Sequence, residues 1–222
     1  MTQTDHATIH YRDEIVRKLI HLSSLSIPIF YYFISRTNAI IILSIVTFIA
    51  LAIDLLRYFS PGFGKVFYSI FGILLRKHEL DEQKKNLNGA TYVLISALVC
   101  VILLPKVFFV TAFSILIISD SMAALIGRKF GHHKFLSKSL EGTLAFFISA
   151  SIVVLFTPKV EGLLLEYIIG FIAAAIAAIV ENISHGLIDD NLSVPVSIGF
   201  SMWGLYLLLL PHLQLILQNV PR

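Results

Sequence analysis

The chain has 222 residues, 57% of them hydrophobic and 14% charged, with a mean hydropathy of +0.84. Such a composition excludes a water-soluble core and describes a protein held mostly inside a membrane. The net charge of +3 is spread among the loops and not gathered on one face, which argues against nucleic acid as a partner.

Seven apolar runs follow one another: Ile15 to Ile34, Ala39 to Leu56, Ala90 to Leu104, Val107 to Ile126, Leu140 to Phe156, Leu163 to Val180 and Leu192 to Leu210. A helix needs roughly 20 residues to cross the hydrocarbon, so seven spans use about 140 residues. The predicted fold is all-α, a polytopic membrane helix bundle of about seven transmembrane helices in which residues 1–222 form a single integral membrane domain. The third run is the shortest, and its start is expected to reach back into Asn88 and Gly89. Phe63 to Leu75 is apolar but short and interrupted by Lys65, which predicts an interfacial helix within a loop over 57–89. The polar N-terminal arm carries no small-residue cleavage site, so the first span is read as its own insertion signal. The lone Cys100 lies in an apolar run, leaving no disulfide partner within one chain.

Basic residues set the expected orientation. Three lie in the N-terminal arm, six between Arg57 and Lys85 and four after the fourth span, against Arg36, Lys106, Lys159 and Arg222 on the other side. The positive-inside rule then places the N-terminus in the cytoplasm, with the loop after the fourth span and the acidic turn over 181–191 on the same side.

Asp120 stands inside the fourth span near its cytoplasmic end. A carboxylate at that depth costs about 2.5 kcal/mol or more on insertion scales, and such residues face a cavity, a cation or a basic partner. The segment 127–142 follows, with Gly127, Gly131 and Gly142, the cations Arg128, Lys129, Lys134 and Lys138, and the run Ser137-Lys138-Ser139. Glycines allow close backbone approach, and N–H groups at a helix start favour anions, so the segment reads as a phosphate cradle or as an ordinary basic loop. It matches neither a P-loop nor a dinucleotide fingerprint. Glu181, Asp189, Asp190 and Asn191 fall on the same side and suit a divalent cation such as Mg²⁺, or the capping of the seventh helix by Asp190 or Asn191. Asp54, Arg57 and Asn88 suit a lipid headgroup, or an i, i+3 ion pair and a helix cap. His132 and His133 are adjacent on the loop and predict no zinc site.

Taken in order, Arg17-Lys-Leu-Ile-His21, Asp54-Leu-Leu-Arg57, Asn88-Gly-Ala-Thr91, Asp120 with Ala123-Ala-Leu-Ile-Gly-Arg128, Lys138-Ser-Leu-Glu-Gly142 and Asp189-Asp-Asn-Leu-Ser-Val-Pro195 resemble the polyprenol kinase family. That family includes dolichol kinase, phytol kinase and CTP-dependent diacylglycerol kinase. The resemblance runs from Arg17 to the seventh span and implies transfer of the terminal phosphate of CTP, with a divalent cation, to a membrane lipid alcohol. It implies nucleotide contacts at Gly127, Arg128, Gly131, Lys134, Lys138, Ser139, Glu141 and Gly142, and catalytic roles for Asp120, Lys138 and Asp190. It further implies metal binding at Asp120, Asp189 and Glu181, and a headgroup site at Asp54, Arg57 and Asn88. The Asp, Gly-Arg, Lys and Glu-Gly pattern also occurs in phosphatidate cytidylyltransferase. That enzyme's C-terminal signature is replaced here by Ser184-His-Gly186 and Asp189-Asp-Asn191, and Ser119 stands where the kinase pattern has glycine. An ion-coupled transporter is the third reading, since it too would use an intramembrane acid.

Overall fold

A computed structural model describes residues 11–72, 87–184 and 189–222. Nine helices lie among them: α1 (Tyr11–Ser23), α2 (Ser26–Phe33), α3 (Arg36–Phe59), α4 (Pro61–Phe71), α5 (Gly89–Leu103), α6 (Lys106–Phe130), α7 (Leu140–Phe156), α8 (Leu164–Ile183) and α9 (Asp190–Leu209). Between α6 and α7 sits a small antiparallel hairpin of β1 (Lys134–Phe135) and β2 (Lys138–Ser139). Four helices, α3, α6, α8 and α9, are long and apolar enough to cross a membrane, while α5 and α7 are apolar and shorter.

The central element is α6, which packs against α1, α2, α5, α7 and α9. Its side chains are buried almost without interruption from Val107 to Ile117, and a helix that is apolar all round belongs in a core. The outer helices turn large apolar side chains outward, with Phe48, Phe156 and Leu208 each more than 70% exposed. Apolar surface of that kind is stable only against lipid or another apolar partner. Close crossings use small residues. A methyl placed on Gly127 would stand 3.3 Å from the Cα of Gly142, and one on Gly142 would stand 3.1 Å from the Ala123 carbonyl oxygen, so α6 and α7 meet nearly backbone to backbone.

The first apolar run is not one helix. Instead, α1 and α2 are separated by a turn at Ser24 and Leu25, where the Ile27 N–H reaches the Ser24 carbonyl at 2.9 Å. Pro28 explains the break: it has no N–H for the carbonyl of Ser24 four residues back, and its ring crowds that carbonyl. Other limits agree with the sequence. Asn88 caps α5 by accepting from the Thr91 N–H at 2.9 Å, so the third run does begin at Gly89. Pro61 opens α4, which packs on α3 within the expected interfacial segment; residues 73–75 of that segment lie outside the described residues.

Three of the four basic residues assigned to the opposite end close helix termini. Arg36 donates to the carbonyls of Val101, at 3.1 Å, and of Ile102. Lys106 donates to the Ile34 carbonyl at 2.7 Å and to that of Pro221, and Lys159 donates to Val154 and Thr157 at 2.6 and 2.7 Å. Apart from that of Pro221, these carbonyls are acceptors that a helix end leaves unmatched. At the same end, Glu166 is fully buried and accepts from the N–H groups of Val160, Glu161 and Leu163 and from the Tyr206 hydroxyl, tying the α7–α8 connection to α9.

Candidate active site

The ionic residues converge at the end of the bundle where α6 finishes and α7 begins. Asp120 lies about 15 Å up α6 from its C-terminus, at 1.5 Å per residue. Its carboxylate is buried and accepts a hydrogen bond from the ammonium group of Lys18 on α1, which is itself buried. His21 Nε2 stands 3.6 Å from the same carboxylate oxygen. One turn toward the N-terminus from Lys18, the fully buried Glu14 accepts from Arg17 at 2.5 and 3.2 Å and faces Arg128 of α6 at 3.4 Å. Thus α1 runs antiparallel to α6, its Glu14 matched to Arg128 and its Lys18 to Asp120.

The sequence reading missed this arrangement, although a signal was there. Glu14, Lys18 and His21 fall at spacings of four and three, one face of a helix, while Val16, Leu19 and Ile20 on the other face are 40 to 61% exposed. The helix is amphipathic with its polar stripe turned inward, the arrangement expected where the exterior is lipid.

The basic loop is organised from α8. Lys138 donates to the Glu181 carboxylate at 2.5 Å. Next to Glu181, the fully buried Asn182 accepts from the N–H groups of Ser137 and Lys138 at 2.8 and 3.1 Å and donates to the Thr143 hydroxyl at 2.6 Å. Asn182 was not singled out from sequence, because an Asn near a helix end reads as a cap. Ser139 caps α7, accepting from the Gly142 N–H at 3.2 Å. Glu141 accepts from the backbone N–H of His133 at 3.1 Å and pairs with its ring at 2.7 Å, closing the hairpin's base. Lys134 is exposed on β1.

The loop's N–H groups are largely committed. Gly131 donates to the Gly127 carbonyl, His133 to Glu141, Ser137 and Lys138 to Asn182, Leu140 to the His133 carbonyl and Gly142 to Ser139. Gly127 and Gly142 serve the close crossing of α6 and α7, and the side chains of Arg128, Lys129 and Lys134 are exposed.

Asp189 caps α9, accepting from both the backbone N–H and the side-chain amide of Asn191, in the place expected for Asp190 or Asn191. Asp190 opens that helix, next to its cap. Residues 185–188 of the acidic turn lie outside the described residues. Asp54, Arg57 and Asn88 form their own buried group. Asp54 accepts from the Asn88 N–H and amide, both at 2.9 Å, and meets Arg57 at 3.1 Å, while the guanidinium lies over the rings of Tyr58 and Phe67. Both bland expectations, the ion pair and the cap, are met there.

Among the described residues, no three His, Cys, Asp or Glu side chains gather as metal ligands. Asp120 faces Lys18 and His21, Glu181 faces Lys138, and Asp189 faces Asn191. The pairs at Arg128 and Lys138 are partly exposed, and a phosphate is chemically able to displace the carboxylate that each cation holds.

No protein-family model matches the chain, and no solved structure matches it. It is 33% identical over 182 residues to an uncharacterized protein of Rickettsia prowazekii, covering 82% of this chain and 89% of that one. It is 34% identical over 193 residues to an uncharacterized protein of Methanocaldococcus jannaschii, covering 84% and 91%. With CTP-dependent diacylglycerol kinase 1 of Saccharomyces cerevisiae it shares 26% identity over 210 residues, 83% of this chain and 71% of the kinase.

Proposed function

The chain belongs to the family of the Rickettsia and Methanocaldococcus proteins and is a distant homologue of the yeast kinase, and we propose that it is a CTP-dependent lipid kinase. It would transfer the terminal phosphate of CTP to the hydroxyl of a membrane lipid, either diacylglycerol or a long-chain alcohol of the polyprenol or phytol type. The observation that carries this reading is the ionic cluster: the pairs of Lys18 with Asp120, Arg128 with Glu14 and Lys138 with Glu181 lie at one end of a bundle whose outer surface is apolar. A charged nucleotide and a lipid hydroxyl come together only at such a boundary. That end would lie in the cytoplasm, and the helices would cross the membrane seven times.

In this reading Lys138, Arg128 and Lys134 bind the phosphates, and at Lys138 and Arg128 a phosphate oxygen takes the place of the carboxylate that holds the cation in the free protein. The carboxylate of Asp190 orients the acceptor hydroxyl and takes its proton. The lipid oxygen forms a bond to the γ-phosphorus, the bond from that phosphorus to the bridging oxygen breaks, and CDP leaves with the electron pair. Positioning and charge neutralisation supply most of the rate, as is general for phosphoryl transfer.

The test uses purified protein with γ-labelled CTP and a panel of lipid alcohols and diacylglycerol, followed by organic extraction. Label in the organic phase establishes the kinase and names its acceptor. A labelled liponucleotide formed from α-labelled CTP and phosphatidate would replace this reading with cytidylyl transfer. Substrate movement across sealed vesicles without nucleotide consumption would replace it with transport.

A further inference from the structure

Lys138 is held in two ways, and both come from one turn of α8. Its ammonium lies on Glu181 at 2.5 Å, and its backbone N–H, with that of Ser137, lies on Asn182 at 3.1 and 2.8 Å. The turn itself does not favour the conformation it adopts. Only Leu136 and Ser137 separate the paired residues Phe135 and Lys138, and Leu136 sits at φ +49°, a left-handed backbone that a leucine rarely adopts. Leu136 is half exposed, so its own packing does not compensate. The amide oxygen of Asn182 takes the two N–H groups that follow, and its amide nitrogen is anchored in turn on Thr143, whose hydroxyl donates to the Ser139 carbonyl at 3.1 Å.

We infer that Asn182 is a positioning residue for Lys138, fixing the backbone of the hairpin so that the Lys138 ammonium can pass from Glu181 to a nucleotide phosphate while its Cα stays in place. This rests on the proposed nucleotide site. Its substance is a division of labour: Asn182 holds the lysine's backbone, and Glu181 holds its charge until a phosphate arrives. Buried, with its amide engaged by three partners, Asn182 cannot contact the nucleotide and acts only through the hairpin.

The experiment measures equilibrium binding of CTP to the full-length protein in detergent for wild type, Lys138→Ala, Asn182→Ala and the double variant, with thermal stability of each recorded alongside. Lys138→Ala is expected to weaken CTP about tenfold or more, as for a lost hydrogen bond to a charged group. Asn182→Ala should weaken it comparably, and the double variant no further than Lys138→Ala. Lipid phosphorylation should show the same split, with KM for CTP raised more than kcat is lowered. Equal CTP affinity in Asn182→Ala and wild type, or full additivity in the double variant, overturns the inference and leaves the nucleotide site standing. Wild-type protein that does not bind CTP overturns the nucleotide site and the inference with it. Should Asn182→Ala not fold, Thr143→Val removes the anchor of the amide, together with the bond from Thr143 to the Ser139 carbonyl, and leaves Asn182 in place. It is expected to weaken CTP binding severalfold, again non-additively with Lys138→Ala, and an unchanged affinity there refutes the inference equally.

Discussion

Replacing Lys18 by Met should be among the most damaging single changes in the chain. The lysine and Asp120 are 2% and 5% exposed at their side chains, so neither charge has water as an alternative partner. Removing one member of a buried pair leaves the other uncompensated, at a cost of about 3–5 kcal/mol. His21 does not make good the loss. Its Nε2 lies 3.6 Å from the carboxylate oxygen, beyond hydrogen-bond length. The loss should therefore fall near the upper part of that range. The second substitution, Asp120→Asn in the Lys18→Met background, removes the orphaned charge and should return the protein to within about 2 kcal/mol of wild type, since an apolar or neutral replacement of a whole pair is often close to neutral. Stability would be read from reversible denaturation in mixed micelles. A loss below about 1 kcal/mol in Lys18→Met, the size of an exposed pair, or a double variant as unstable as the single one, would refute a buried and mutually dependent pair. Asp120→Asn alone should lose lipid phosphorylation.

Glu181→Gln removes the charge that competes with phosphate for Lys138; the apparent KM for CTP should fall about two- to fivefold, the scale of a partly exposed ion pair, and an increase would show that Glu181 serves the nucleotide directly. Gly142→Ala places a methyl 3.1 Å from the Ala123 carbonyl and 3.2 Å from the Gly127 Cα, so α6 and α7 must separate. A stability loss of about 1–3 kcal/mol should appear in the same denaturation assay, and an unchanged midpoint would show that the crossing has slack. Burial brings Lys159, in the connection between α7 and α8, from 10.5 down to about 8. Between those values the unfolded chain binds a proton that the folded chain does not, so stability should rise with pH across that window. Lys159→Met should flatten the rise, and an identical slope in wild type and variant would assign the pH dependence to another group.

The sequence made the central helix and its acid legible because both are local properties. A long apolar run ending in basic residues marks α6, and a lone carboxylate within it stands out at Asp120. The ionic cluster as a whole was harder to see, since it is assembled by contacts between residues far apart in the chain. Nothing near Lys18 says that Asp120 will meet it, and nothing near Lys138 points to Asn182. The break between α1 and α2 was missed because hydropathy does not register Pro28, whose effect is on backbone geometry alone. The expectation of free N–H groups around the glycines failed for a similar reason. Composition shows that glycine permits close approach but not what approaches, which here is another helix. Asp189, rather than Asp190 or Asn191, caps α9, a distinction of one residue that pattern alone does not resolve.

The inward polar stripe of α1 bears on how the chain is assembled during synthesis. Lys18 and its carboxylate are separated by 102 positions in sequence, so when α1 leaves the ribosome its counter-charges on α6 do not yet exist. A segment carrying Glu14, Arg17, Lys18 and His21 does not settle in hydrocarbon unaccompanied; it waits at the headgroup level, with its stripe hydrated, until α6 has been threaded. The first helix made is then the last to dock, and a chain truncated before Asp120 should leave its N-terminal segment at the membrane surface, open to protease, while the apolar helices behind it are already inserted.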